Sequence, residues 1–390
     1  MAPHLLPRPA RLHPSARVAL VTVVVTAVVA LLSAVAGCVT DPKSSAGLAL
    51  PAPLWTLSAP VLTSRILTES NGTLVVASDS LLGYNAVTGA GPAGSRRWGT
   101  SIGALALGGV RLPVSGGRVV FSGSALQTLD LANGAVVYSD PPGSTASFGS
   151  TDGTNVFVAR TAPTHRIESV SPMGVIAWST PLDSVCTTGC RFAGTAVSGD
   201  TVFLAGSLGA ATASSTLVMA FNRLTGLSFW RRTDATIDTT VAYPPVVSGK
   251  QLVLVGSGGL VAYALNRSTR TVTWQRVVTG TFLNFTPTVA GDVVLLTSDF
   301  GGEAIRSDSG TTLWTAASVA PIVQTAACPT SIAIAAVQSL IVVDRITGRL
   351  INGLDLASFG GSNGSIGAFN GKLYVSTASA GPRLAAYACP

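Results

Sequence analysis

The chain has 390 residues, of which 11% are charged and 47% hydrophobic, with 42 Gly and 22 Pro. That balance excludes an intrinsically disordered chain, which would be charge-rich and poor in aliphatics, and the length is enough to bury a large core. The formal charge of +7 includes Arg8, Arg11 and Arg17; without them 21 basic residues face 17 acidic ones, and the densest pairs, Arg96 with Arg97 and Arg231 with Arg232, make no basic stripe. Nucleic acid is therefore not an expected partner.

The chain opens with an address. Residues 1–17 are polar and basic, Val18 to Ala36 carry no charge, and Val35-Ala36-Gly37-Cys38 follows. A basic stretch, an apolar stretch and a small-residue cleavage site form a secretory signal. Its last four residues resemble a bacterial lipobox, in which a lipid is attached to the Cys sulfur and a peptidase cuts just before it. The reading is a signal peptide over 1–37, a lipidated Cys38 and a tether over 38–52. The alternative is an uncleaved transmembrane anchor, since about 19 apolar residues just span a bilayer. Both place the remainder on the extracytoplasmic face of a bacterial membrane.

From residue 53 onward a phrase recurs: Asn or Asp, two variable residues, Thr, Gly. It stands as Asn85-Ala-Val-Thr-Gly89, Asn222-Arg-Leu-Thr-Gly226 and Asp344-Arg-Ile-Thr-Gly348, with degenerate copies ending at Gly134, Gly174, Arg270 and Gly310. The carboxamide or carboxylate accepts from a backbone N–H two residues on, and Gly supplies the positive φ of a tight hairpin. The turn positions 89, 134, 174, 226, 270, 310 and 348 lie 45, 40, 52, 44, 40 and 38 residues apart. That is the period of a four-stranded propeller blade. Apolar strands precede the turns, as in Leu217-Val-Met-Ala-Phe221, and Tyr138, Trp178, Trp230, Trp274 and Trp314 each follow a turn by four residues. Trp98 is the same aromatic displaced by an insertion at 91–95. These side chains have the area to wedge between neighbouring blades.

The sequence ends on Leu384-Ala-Ala-Tyr387, which matches a third strand, and Leu54-Trp55-Thr56-Leu57 matches an orphan outer strand. Pairing the two would complete the last blade and remove the free edges. Counting outer strands from Trp55 gives an all-β, eight-bladed propeller over 53–390; seven blades follow if one degenerate copy is not a blade. With Cys38 lipidated, Cys186, Cys190, Cys328 and Cys389 remain. Cys186 and Cys190 fall on a blade-to-blade connection, whereas Cys328 and Cys389 fall on turns of the opposite face. Cross-pairing would have to pass through the disc, beyond disulfide reach. The expected bridges are 186–190 and 328–389. A zinc site is not expected, because the only His after Cys38 is His165.

The Asn/Asp-x-x-Thr-Gly phrase with its tryptophan resembles the pyrroloquinoline-quinone-like propeller repeat over roughly 53–390. One branch of that family holds quinone-dependent dehydrogenases. The other holds non-catalytic propellers such as the BamB-type lipoproteins, which length, lipobox and blade count fit better. The dehydrogenases' adjacent cysteines are absent here. Glu occurs only at Glu69, Glu168 and Glu303, and Glu303 is read as part of a polar turn. No catalytic residue, metal or cofactor is therefore expected. The resemblance implies an anchored binding or scaffolding module with envelope proteins as partners; a quinone- or small-ligand-dependent oxidoreductase or sensor is the alternative. Candidate binding surfaces are the long irregular stretches Pro141 to Ser150, Thr180 to Phe192 and Arg231 to Tyr243.

Overall fold

A computed structural model describes residues 50–390 apart from 59–64, 78–79, 87–91, 93, 102–111, 123–124, 210–214, 235–242, 257–260, 278–285, 299–300, 318–321, 357–364 and 378–382. The leader, Cys38, the turn at Gly89 and Asp299 thus lie outside the described residues. The described residues belong to one compact unit, Pro42–Pro390.

They form eight four-stranded antiparallel sheets, the blades. Strand β1 (Trp55–Ser58) precedes blade 1, which is β2 (Arg65–Ser70), β3 (Thr73–Ala77), β4 (Leu81–Asn85) and β5 (Arg96–Thr100). Blade 2 is β6 (Val114–Ser115), β7 (Arg118–Phe121), β8 (Gln127–Asp130) and β9 (Val136–Ser139). Blade 3 is β10 (Ser150–Thr151), β11 (Val156–Arg160), β12 (Arg166–Val170) and β13 (Ile176–Pro181). Blade 4 is β14 (Cys190–Ser198), β15 (Thr201–Leu208), β16 (Ser215–Asn222) and β17 (Ser228–Asp234). Blade 5 is β18 (Val246–Ser248), β19 (Gln251–Val255), β20 (Val261–Asn266) and β21 (Val272–Val277). Blade 6 is β22 (Thr288–Ala290), β23 (Val293–Ser298), β24 (Gly301–Arg306) and β25 (Thr312–Ala317). Blade 7 is β26 (Ile322–Ala327), β27 (Ser331–Ala336), β28 (Ser339–Asp344) and β29 (Leu350–Asp355). Blade 8 has β30 (Ser365–Phe369), β31 (Lys372–Ser376) and β32 (Arg383–Ala388), and β1 is its fourth strand. There Trp55 lies opposite Ala386, Thr56 opposite Ala385 and Leu57 opposite Leu384.

The apolar pattern explains the arrangement. Both faces of a blade are covered by its neighbours, so the middle strands read as continuous apolar runs instead of alternating. β11 (VFVAR) and β19 (QLVLV) are buried throughout. Odd and even positions then serve opposite seams: Val253 and Val255 meet blade 6, while Leu252 and Leu254 meet blade 4. Eight apolar clusters result, one per seam, and the last joins Tyr374, Leu384 and Ala386 of blade 8 to Leu74, Val76 and Tyr84 of blade 1. The ring is closed.

Antiparallel alternation divides the loops between two faces. The first-to-second and third-to-fourth turns share one face, hereafter the turn face. The second-to-third loops and the blade-to-blade connections share the other. Two of the irregular stretches expected from sequence are shorter than that: Thr180 and Pro181 end β13, Cys190 to Phe192 open β14, and Arg231 to Asp234 belong to β17. In each case the strand ladder continues past the last apolar residue that marks it in sequence.

Candidate functional site

The recurrent turn is built as its chemistry requires. Asn222 Oδ1 accepts from the N–H groups of Leu224 and Thr225 at 2.9 and 3.0 Å, and Asp344 Oδ1 from those of Ile346 and Thr347 at 3.0 and 2.8 Å. The Thr347 donors, backbone first, hold the Asp344 carboxyl below the usual carboxylate range. The turn closes with Gly226 N–H donating to Asn222 O at 2.9 Å. Gly226, Gly310 and Gly348 have φ of +70°, +68° and +67°.

These glycines have a second duty. A Cβ on Gly226 would lie 2.5 Å from Cε3 of Trp178, and one on Gly310 or Gly348 would lie 2.5 Å from Cγ of Trp274 or Trp314. Each outer-strand aromatic therefore lies flat on the next blade's turn. The indole N–H then reaches a turn carbonyl: Trp98 to Leu131 O, Trp178 to Arg223 O and Trp274 to Ser307 O at 2.8 Å, and Trp314 to Arg345 O at 3.0 Å. Tyr138 covers Gly174 in the same way. Trp230 meets Arg270 instead, a non-glycine residue at φ +62° whose guanidinium lies 5.9 Å from the indole centre. Trp55 covers Gly94, at φ +80°, whose N–H closes the turn onto Asn85 O at 2.8 Å. The insertion thus moves the glycine beneath the wedge from Gly89 to Gly94. Trp55, Trp98, Tyr138, Trp178, Trp230, Trp274 and Trp314 accordingly occupy seams.

The acids lie in two places that sequence reasoning did not single out. In the seam between blades 2 and 3, Arg160 donates to Glu168 Oε2 at 2.5 Å and to Asp140 Oδ2 and Oδ1 at 2.6 and 3.1 Å. Arg166 donates to Glu168 Oε1 at 2.6 Å, Tyr138 Oη to Asp140 Oδ1 at 2.8 Å, and Leu126 N–H to Asp140 Oδ2 at 2.7 Å. The side chains of Arg160, Asp140 and Glu168 are 4%, 2% and 1% exposed. Burial alone would lower the Arg160 guanidinium, but its hydrogen bonds to Asp140 and Glu168 and their charges raise it. Burial and the bond to Asp140 push the Tyr138 phenol up to about 12. The network is satisfied internally and offers no free carboxylate.

The closing seam holds the second. Tyr374 Oη donates to Glu69 Oε2 at 2.7 Å, and Lys372 Nζ stands 3.6 Å from Glu69 Oε1. Burial, then Glu69, raises the Tyr374 phenol. Glu303 is not in a polar turn as expected: it lies within β24, where a carboxylate oxygen accepts from Thr312 Oγ1 at 2.5 Å. The strand run Gly301-Gly-Glu303 masks itself in sequence, because its two glycines read as a turn. Disulfides join Cys186 to Cys190 and Cys328 to Cys389, with Cα separations of 5.2 and 5.7 Å. The second ties a turn of blade 7 to the end of blade 8.

Towards the axis the first strands present hydroxyls and amides that bond to one another: Ser150 and Thr195 at 2.8 Å, Thr288 and Thr325 at 2.5 Å, and Ser365 to Gln324 Oε1 at 2.7 Å. On the turn face an open cavity of about 290 Å³ lies among Ala290, Pro329, Phe369, Asn370 and the Cys328–Cys389 bridge. Among the described residues no group of three or more His, Cys, Asp or Glu is placed to hold a metal. A calcium-held quinone needs acid and amide oxygens converging near the axis. Among the described residues the buried acids Asp140 and Glu168 are bound to arginines and Glu69 to Tyr374, so these three do not form such a donor set.

Fold and seams together define a closed β-propeller of the pyrroloquinoline-quinone-like repeat type. The family model described as "Outer membrane protein assembly factor BamB" matches residues 214–388. Among solved structures, BamB from Moraxella catarrhalis superposes with a TM-score of 0.60 at 16% identity, over 86% of this chain and 99% of its own. The quinohemoprotein alcohol dehydrogenase from Comamonas testosteroni gives 0.61 at 11% identity, over 91% and 78%. The computationally designed Ika8 protein gives 0.60 at 12% identity, over 86% and 99%. At these identities the likeness is one of fold. No curated protein matches the sequence. The chain is thus a propeller similar to BamB and, in fold, to the quinoprotein dehydrogenases.

Proposed function

We propose that the chain is a lipid-anchored, extracytoplasmic propeller that serves as a non-catalytic protein-binding or scaffolding module of the bacterial cell envelope. In this reading residues 1–37 are removed as a signal peptide, Cys38 carries the lipid and 38–52 tether the propeller. The observation that carries it is the condition of the acids. Those buried among the described residues are engaged by Arg160, Arg166, Tyr374 and Lys372, and in this reading the propeller acts through its surface. The match to an assembly-factor family model and the lipobox support envelope proteins as partners.

Two measurements test it. Growth with an alkyne-tagged palmitate should label the wild-type chain and leave Cys38→Ala unlabelled; labelling of both would refute the anchor. Adding pyrroloquinoline quinone and Ca²⁺ to the purified chain should give no stoichiometric absorbance band and no dye reduction. A band with turnover would favour the alternative that the dehydrogenase likeness raises.

A further inference from the structure

Of the ten large apolar side chains that stand exposed among the described residues, Met173, Val175, Ile176, Leu224, Leu227 and Phe229 belong to two adjacent blades, each at least half exposed. They stand on the adjoining rims of those blades. Trp178 of β13 lies on Gly226 and bonds Arg223 O, and Thr180 Oγ1 donates to Gly226 O at 2.7 Å, so the edge of blade 3 abuts the turn of blade 4. The rim continues along β17, which pairs with β16 alone and leaves its outer edge open. On that strand Phe229, Arg231 and Thr233 are exposed at alternate positions. Arg232 is engaged by Asp234 at 2.7 Å and by Arg270 O at 2.6 Å, whereas the Arg231 guanidinium makes no hydrogen bond or ion pair among the described residues.

An open strand edge flanked by apolar side chains and one free cation is suited to strand addition, in which main-chain bonds give affinity and alternate side chains give specificity. We infer that the rim of blades 3 and 4 docks an extended protein segment that adds to the outer edge of β17, with an apolar residue against Phe229 and a carboxylate against Arg231. This gives a surface to the scaffolding role and rests on it. Charge decides against a second copy of the chain as occupant. Antiparallel pairing of two β17 strands would bring Arg231 and Arg232 of both into one short ladder, and like charges across a ladder destabilise it. Position decides against the bilayer. Leu50, where the tether enters the propeller, is buried in the seam of blades 7 and 8 and bonds Gly353 O at 3.1 Å, half the ring away from blades 3 and 4.

The test uses the full chain and two fluorescein-labelled peptides, Thr-Glu-Thr-Val-Thr-Leu and its twin with Lys for Glu, read by fluorescence anisotropy. The Glu peptide should bind at least tenfold more tightly than its twin. Arg231→Glu should reverse that order, and Phe229→Ser should weaken both by about tenfold while circular dichroism stays unchanged. Equal affinities, no binding of either peptide at millimolar concentration, or insensitivity to Arg231→Glu would overturn the inference. Flotation with phosphatidylglycerol vesicles that Phe229→Ser abolishes would replace it with a membrane contact. A sedimenting dimer that Arg231→Glu disperses would replace it with self-association. None of these assays depends on Cys38, so failure here leaves the palmitate result standing on its own.

Discussion

The seam between blades 2 and 3 and the one between blades 8 and 1 solve the same problem differently. Between blades 2 and 3 the chain is continuous, and the apolar cluster is thin: Val120, Leu126, Ala146, Val156, Val158 and Val170. Beside it sits the Asp140–Arg160–Glu168 network. Blade 8 differs in its own make-up: its fourth strand, β1, precedes blade 1 in the chain and is held to β32 only by its ladder. Its interface with blade 1 is aromatic, with Tyr84, Tyr374 and Trp55 packed together, and blade 8 is tied to blade 7 by Cys328–Cys389. Both seams hold a buried carboxylate, Glu168 with Asp140 in one and Glu69 in the other; where a blade is completed by a strand from the far end of the chain, aromatic area and a cross-link are added.

That contrast can be broken from either side. The largest effect is expected at the charged seam: Arg160→Ala removes the cation shared by two buried carboxylates, which costs about 3–5 kcal/mol. Urea unfolding measures it, and a loss under 1 kcal/mol would mean that the network is solvated. Next comes the covalent lock. The Cys328–Cys389 bridge spans 61 residues, so Cys389→Ser should remove about 4 kcal/mol on the loop-entropy argument. The Cys186–Cys190 bridge spans only 4 residues, and Cys186→Ser should remove about 2 kcal/mol. Equal losses would show that loop length does not govern them. Gly310→Ala should cost about 2 kcal/mol, from the left-handed backbone and the displacement of Trp274 from its seat. Its signature would be a red shift of tryptophan emission.

The smallest effect at neutral pH is the alkaline one. The phenols of Tyr84, Tyr138, Tyr374 and Tyr387 are all raised, chiefly by burial, Tyr138 to about 12. A raised tyrosine contributes stability that is complete below its unfolded value near 10 and is lost as pH climbs through the folded value. Stability should therefore hold up to about pH 10 and fall between about 10 and 12. Three of the four phenols belong to blades 8 and 1, so hydrogen exchange should open that region first. Loss beginning below pH 9 would contradict this.

What the sequence disclosed follows from range. Turn chemistry is local: Asn222 and Gly226 sit within one phrase, and the wedge follows at a fixed step, so blade period and ring closure were legible. The Asp140–Arg160–Glu168 network was not, because its members come from separate strands and a connection that only the seam brings together. Its trace was an arginine ending the apolar run Val156-Phe-Val-Ala-Arg160 and a glutamate inside Ile167-Glu-Ser-Val170, each a charge where a blade's interior should be apolar. The shift from Gly89 to Gly94 was hidden for the opposite reason, since the local phrase at 85–89 is intact and only the reach of Trp55 selects the later glycine.

The central claim is that the two ends of the propeller share one sheet, and a cross-link reads it directly. Thr56 and Ala385 are register partners in the β1–β32 ladder. In the double variant Thr56→Cys, Ala385→Cys, mass spectrometry of a non-reduced digest should find the 56–385 peptide pair as the dominant new bridge, with the midpoint of thermal unfolding raised. A digest in which those cysteines remain free, or bridge to other positions, would mean that the ring is not closed by its termini.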